Sequence, residues 1–272
     1  MFIRNYYFKF IKLFILLGLL NNFESYSKEL LFCHDEIESF PWFEQNGNGL
    51  NTVEMNLVDE KLEDIEIKQQ SLPWLSCLRE LKQNKIDGVF AASYSPERLE
   101  IGVYPGIPLG AKDGIPDESK RMHISEYALY KKKGSQIKWD GSKISGAKRV
   151  GAQSGFSILT LLKKQKEQKN IEFIDESEQS SNALIYHIAK GNLDAVAMLS
   201  LQADKIIKLN KDFSNIEKIE PALEKKAYYL ILSHKLVKED PELANKIWKT
   251  LQEVRNSTEY KAKVKEIFKK YF

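Results

Sequence analysis

Apolar residues recur along this chain in an order that is stated once and then restated. A short apolar run, Leu30 to Cys33, opens the first statement. Helical spacing follows from Leu50 to Leu62, then a strand-like alternation from Ile65 to Gln70. The segment LPWLSCLRELKQNK places Pro73 at a helix start and Leu75, Leu78 and Leu81 at helical spacing. An apolar strand from Ile86 to Ala92 completes the unit. Strand, helix, strand, helix, strand predicts a parallel sheet covered by helices, an α/β fold.

Turn formers then cluster from Pro105 to Pro116, and an extended segment, Glu126 to Lys132, leads into the second statement. Its strands are predicted at 148–153, 171–175 and 193–199, and its helices at 155–168 and 180–191. A further extended segment, Lys226 to Ser233, precedes a closing helical region that Pro241 starts, with Leu243, Ile247, Leu251 and Val254 on its apolar face. The charge run Lys163 to Lys169 reads as a solvated helix end.

The first 27 residues depart from this pattern. Arg4, Lys9 and Lys12 precede an apolar run from Leu13 to Leu20 and a small-residue exit at Ser25 to Ser27, the layout of an export signal. The run is shorter than the roughly 20 apolar residues that span a bilayer, although the upstream aromatic residues would extend it into an uncleaved anchor. No lipidation cysteine follows it, since Cys33 is the first. The expectation is a soluble exported, periplasmic protein. Removing this segment, with its three basic residues and one acidic residue, leaves 245 residues and changes the net charge from +3 to +1. A near-neutral chain without interleaved basic and aromatic residues gives no electrostatic reason to expect nucleic acid.

Two cysteines, Cys33 and Cys77, and four scattered histidines offer no metal-ligand spacing, so neither a metal nor another cofactor is expected. Export permits a disulfide between Cys33 and Cys77; two separately buried thiols are the other reading. No nucleophile elbow or zinc-protease motif is present, and the glycines fit neither nucleotide-binding pattern. No catalytic residue is assigned.

The strongest candidate chemistry lies between Asn84 and Pro105. An apolar strand ends near Ser93, and Arg98 follows five residues later. A hydroxyl and a planar guanidinium brought to one point suit a small carboxylate. The plainer reading of Arg98 is a surface residue paired with Glu97 or Glu100. Gly155, between a strand and a helix, would place free amides at a helix start, where an anion is favoured; a tight turn is the simpler reading. Trp42 and Trp74 fall beyond the carboxyl ends of predicted strands, where open α/β sheets bind ligands, and read either as pocket walls or as packing. Asp35 reads either as the partner of a cationic ligand group or as a turn cap.

Taken together, FPWF, LRELKQNKIDGVFAASYSPERLEIGVYP, RVGAQSGFS and IAKGNLDAVA resemble the extracytoplasmic solute-binding proteins of family 3, over nearly all of the chain from about Leu30 to Tyr271. The resemblance implies a two-lobed, type II periplasmic-binding-protein-like fold with two hinge crossings, near Ser125 to Lys131 and Lys225 to Leu232. It divides the chain into a signal (1–27), a first lobe (28–124 with 226–272) and a second lobe (125–225). It implies that Arg98 and Ser93 hold a ligand carboxylate, that the backbone at Gly155 and Phe156 grips from the second lobe, that Trp42 and Trp74 form walls, and that Asp35 meets a polar tail. Such proteins act as monomers that pass a small molecule to a membrane permease or a sensor. An exported enzyme on the same scaffold, resembling cyclohexadienyl dehydratase, is the alternative. One departure from the family pattern is Leu199, where amino-acid binders usually carry an aspartate.

Overall fold

The computed structural model describes residues 28–44, 47, 49–177 and 180–271; the expected export segment, 1–27, lies outside the described residues. The chain runs β1 (Lys28–Asp35), α1 (Leu50–Lys61), β2 (Ile65–Leu72), α2 (Trp74–Lys82) and β3 (Gly88–Ser93). It continues through β4 (His123–Lys132), β5 (Lys138–Trp139), β6 (Ile144–Ser145), β7 (Arg149–Gly151), α3 (Ile158–Glu167), β8 (Phe173–Asp175), α4 (Ser181–Lys190) and β9 (Ala195–Leu199). The remainder is α5 (Ser200–Leu209), β10 (Ile216–Leu232), α6 (His234–Glu239), α7 (Pro241–Asn256) and α8 (Thr258–Tyr271).

Eight strands form one sheet in the order β2-β1-β3-β10-β4-β9-β7-β8. Within it, β1 pairs in parallel with β2 and β3, and β7 pairs in parallel with β8 and β9. These two parallel groups meet only through the antiparallel pair β10 and β4. The buried side chains follow the same division. Residues such as Phe32, Phe90, Leu230 and Ile247 pack in one cluster and Leu81, Val89, Tyr104 and Ile231 in a second, all from the start and end of the chain. Leu129, Trp139, Ile158 and Leu162 form a third, and Tyr130, Leu184, Val196 and Ile206 a fourth, all from its middle.

Local chemistry explains the element ends. Pro241 opens the first turn of α7, and Asp240 Oδ1 accepts the Leu243 N–H at 3.0 Å, a side-chain cap on an otherwise unpaired donor. Gly191 ends α4 in the left-handed region at φ 82°, which glycine adopts without a Cβ clash. The Asp87 carboxylate accepts the Leu31 N–H at 2.8 Å, so the apolar run at Ile86 enters its strand only at Gly88.

The structure departs from the sequence expectation in the unanticipated hairpin of β5 and β6, in β4, which starts at His123 and not Glu126, and in two further elements. Helix α5 was not signalled, because its buried residues, Ala203 and Ile206 with Ser200 and Gln202, give too short and too polar a stripe. Strand β10 begins at Ile216 rather than Lys226, since its first half is charged and takes its order from β4 rather than from its own apolarity. The ladder register shifts between Ile219 and Glu224, the stretch that contains Pro221, which has no N–H to donate.

Cys33 and Cys77 form a disulfide that closes a sequence separation of 44 residues and ties the end of β1 to α2. Loop-closure entropy for a span of this length corresponds to about 3–4 kcal/mol. Replacing both cysteines by serine is expected to lower the stability by that amount, read as a reduced urea midpoint with an unchanged slope; an unchanged midpoint would show that the bond contributes nothing to stability.

Candidate functional site

Where β3 and β10 run side by side, Ser93 lies opposite Tyr228, and Tyr228 in turn lies opposite His123 on β4. Three adjacent strands therefore deliver a hydroxyl, a phenol and an imidazole to one level of the sheet. A cavity of about 50 Å³ opens there, with Arg98, Asp35, Trp42, Trp74, Phe156 and Leu199 also on its walls. That volume holds a handful of water molecules.

Arg98 sits on the short helical turn Pro96–Glu100 that follows β3 and is only 7 % exposed. Its Nη1 donates to the Ser93 carbonyl at 2.6 Å and lies 3.3 Å from Ser93 Oγ; its Nη2 donates to the Gly155 carbonyl at 3.2 Å. The guanidinium carbon stands 5.2 Å from the Trp74 ring centre, a cation–π distance. The surface reading of Arg98 fails, because Glu97 takes a 2.5 Å hydrogen bond from Ser95 and Glu100 pairs with Lys82. Among the described residues no carboxylate pairs with Arg98.

Hydroxyl groups gather around this cation. Ser93 Oγ donates to Ser157 Oγ at 2.8 Å, and the Tyr228 hydroxyl donates to that of Tyr127 at 3.2 Å. The Tyr104 hydroxyl donates to the Ser93 carbonyl at 2.7 Å, and burial pushes that phenol up to about 12. Burial likewise raises Tyr127 and Tyr228, so these groups remain neutral donors.

The turn before α3 meets Arg98 differently from the expected amide grip. Gly155 is at φ 75°, and a Cβ there would lie 2.7 Å from Leu75 Cδ2 and 3.2 Å from Trp74 Cδ1, so only glycine lets this turn press on α2. It offers its carbonyl to Arg98, and the Phe156 N–H is spent on the Gln153 carbonyl at 3.3 Å. Phe156 and Ser157 both line the cavity, and Ser157 Oγ accepts from Ser93 Oγ.

Asp35 ends β1 and is 7 % exposed; its Oδ1 accepts the Ile37 N–H at 3.3 Å, the turn-cap role. Its place on the cavity wall keeps the second role open. Among the described residues no cationic side chain pairs with it. Burial, the largest influence, pushes its carboxyl up to about 6 against the opposing backbone hydrogen bonds. Trp42 donates its Nε1–H to Ser125 Oγ at 2.7 Å and stacks on His123 with ring centres 3.6 Å apart; His123 stacks on Tyr228 at 4.8 Å. Burial holds His123 well below its usual pKa, and its Nδ1 has no partner. Trp74 Nε1 and both side-chain polar atoms of Asn51, which also lines the cavity, are likewise buried without partners.

Thus Arg98, Ser93, Asp35, Trp42, Trp74 and Phe156 come together, and Gly155 stands behind them. His123, Tyr127, Ser157 and Tyr228 were not anticipated. The alternation in HISEY, which puts His123, Ser125 and Tyr127 on one face of β4, is the signal that would have found two of them.

Outside the cavity, α5 contacts the segment that follows β1. Gln202 Oε1 accepts the Phe40 N–H at 2.6 Å. Lys205 Nζ pairs with Glu38 at 2.7 Å and lies 4.7 Å from the Phe40 ring centre and 4.6 Å from that of Tyr271.

No family model and no curated protein matches the chain. Solved structures do. A histidine kinase sensor domain with similarity to periplasmic binding proteins superposes at TM-score 0.68 with 16 % identity, over 91 % of this chain and 97 % of that one. An ancestral arginine-binding protein bound to arginine gives 0.67 and 19 %, over 91 % and 99 %. A putative L-cystine ABC transporter from Listeria monocytogenes gives 0.66 and 18 %, over 90 % and 95 %. The chain has the two-lobed α/β fold of periplasmic binding proteins. No helix among the described residues is long and apolar enough to cross a membrane.

The Asp35 shift has a testable sign. The fold favours its neutral form, a contribution complete below the ordinary carboxylate value of 3.8 and lost as the pH rises through about 6. Relative to Asp35→Asn, the unaltered protein is expected to lose up to about 3 kcal/mol between about pH 4 and about pH 7. Urea titrations of both proteins across that range measure it, and parallel pH profiles would refute it.

Proposed function

We propose that this chain is a family 3 solute-binding protein that captures a small polar, carboxylate-bearing molecule between residues 28–124 with 226–272 on one side and 125–225 on the other. Arg98 and Ser93 hold the carboxylate, Ser157 and Tyr127 complete its hydroxyl shell, and Trp42, Trp74 and Phe156 enclose the rest. The observation that carries this reading is the buried guanidinium without a carboxylate partner, facing a cavity to which both sides contribute. Burying such a charge costs several kcal/mol unless something pairs with it, and an anionic ligand does so.

The protein acts after export and presents its closed form to a membrane partner. The neighbours support both kinds of partner, a permease through the ABC transporter protein and a receptor through the kinase sensor domain. A binding role is favoured over turnover, because among the described residues no hydrogen bond joins His123 to Ser93 or Ser157, and the two serine hydroxyls are bonded to each other.

A thermal-shift screen of amino acids, organic acids and small polyamines tests the reading. A ligand present at one hundred times its Kd is expected to add about 2.7 kcal/mol of apparent stability, and Arg98→Ala is expected to remove the whole shift. A panel with no shift, or a shift that survives Arg98→Ala, would overturn it.

A further inference from the structure

Helix α5 is rooted in one packing cluster and grips elements that belong with another. Its buried Ala203 and Ile206 pack with Tyr130, Leu184 and Val196, residues from the middle of the chain. On its polar side, Gln202, Lys205 and Lys208 recur every third residue and so share one stripe of the helix. All three reach outward to the same place. Gln202 Oε1 accepts the Phe40 N–H at 2.6 Å, Lys205 pairs with Glu38 at 2.7 Å, and Lys208 Nζ donates to the Tyr271 carbonyl at 3.1 Å. Glu38 and Phe40 follow β1, and Tyr271 ends α8, whose Phe268 packs against the cluster of Phe32, Phe90 and Ile247.

A shielded cation stands at the centre of this contact. The Lys205 side chain is 12 % exposed, and its Nζ meets the Glu38 carboxylate and the rings of Phe40 and Tyr271. Those two rings meet edge to face with centres 4.7 Å apart. An ammonium so far withdrawn from water is stable only while its carboxylate and its aromatic faces stay in place. Parting α5 from these elements breaks the ion pair and both ring contacts together, and it uncovers Phe40, which is buried.

Glu38, Phe40, Gln202, Lys205, Lys208 and Tyr271 stand apart from the lining of the Arg98 cavity. The contact is therefore independent of what that cavity selects. It is not remote from it, since Phe40 lies two residues before Trp42, one of the cavity walls.

We propose that this stripe of α5 is a clasp that holds the two lobes together from outside the cavity and sets how often the cleft opens. Lys205 is a positioning residue, acting on the cavity through the segment that carries Trp42. Apparent affinity scales with the fraction of molecules in the competent form, so the clasp strengthens the hold on every solute alike, whatever its chemistry. That consequence rests on the solute-binding reading; the clasp itself is tested without a solute.

Hydrogen exchange of the purified protein, followed by NMR with nothing added, separates three probes. The Phe40 N–H reports on the clasp, the Trp74 Nε1–H, buried at the cavity, reports on the cleft, and the Trp248 Nε1–H, which donates to the Leu230 carbonyl at 2.9 Å, reports on the core. Lys205→Met removes the charge and leaves all three probes with their surroundings. It is expected to speed exchange of Phe40 and Trp74 about tenfold, a shift of about 1.4 kcal/mol in the opening equilibrium, and to leave Trp248 unchanged. Glu38→Gln, at a partly exposed position, is expected to act in the same direction and decides the matter where Lys205→Met does not fold. Unchanged exchange at Phe40, acceleration of Phe40 without Trp74, or equal acceleration of all three would overturn the clasp. None of these outcomes touches the solute-binding reading, which the thermal-shift panel decides separately.

Discussion

The antiparallel ladder between β10 and β4 is the constraint on which the rest of the molecule depends. Each parallel group of strands is built from neighbouring stretches of sequence, joined by the crossover helices that parallel strands require. Only this pair belongs to both, with β10 extending the first group beside β3 and β4 extending the second beside β9. Where the ladder passes between the groups, side chains of both its strands reach the cavity. His123, Ser125, Tyr127 and Tyr228 stand there and become walls, stacking surfaces and hydrogen-bond donors. The strands that hold the protein together also furnish much of its cavity.

The electrostatic arrangement follows from that enclosure. Most polar groups at the cavity are kept neutral by burial, as the shifts of His123, Tyr127 and Tyr228 show. Burial favours the neutral form of Asp35 as well, and against this background Arg98 is the cation without a carboxylate partner among the described residues. Lys205 illustrates the opposite solution. It too is largely shielded, but it has a carboxylate from Glu38 and two aromatic faces, so its charge is satisfied by the protein itself. Lys205 is completed by its own fold, whereas Arg98 has no carboxylate partner among the described residues and carries the proposed capture of a ligand.

Most of the architecture was legible in the pattern of apolar residues, because parallel strands buried on both faces and helices with one apolar stripe leave clear periods. The exceptions have local causes. Helix α5 buries serine and glutamine beside alanine and isoleucine, and the first half of β10 is charged, so neither announces itself by apolarity. At the site, Arg98 and Ser93 were legible because both lie next to the end of one strand. Tyr228, Tyr127 and His123 were not, because they become neighbours only when strands more than a hundred residues apart in sequence pair. Glycine at 155 could be read as a turn, but its carbonyl contact with Arg98 depends on how closely it approaches Leu75 and Trp74.

The bond between Cys33 and Cys77 lies two residues before Asp35 and three after Trp74. It therefore fixes the helix carrying the indole that faces Arg98 to the strand carrying the cavity's carboxylate. Reducing it would remove the covalent brace between the elements that carry Asp35 and Trp74. Two stretches of this cavity's wall are thereby held by one covalent crosslink and not by packing alone.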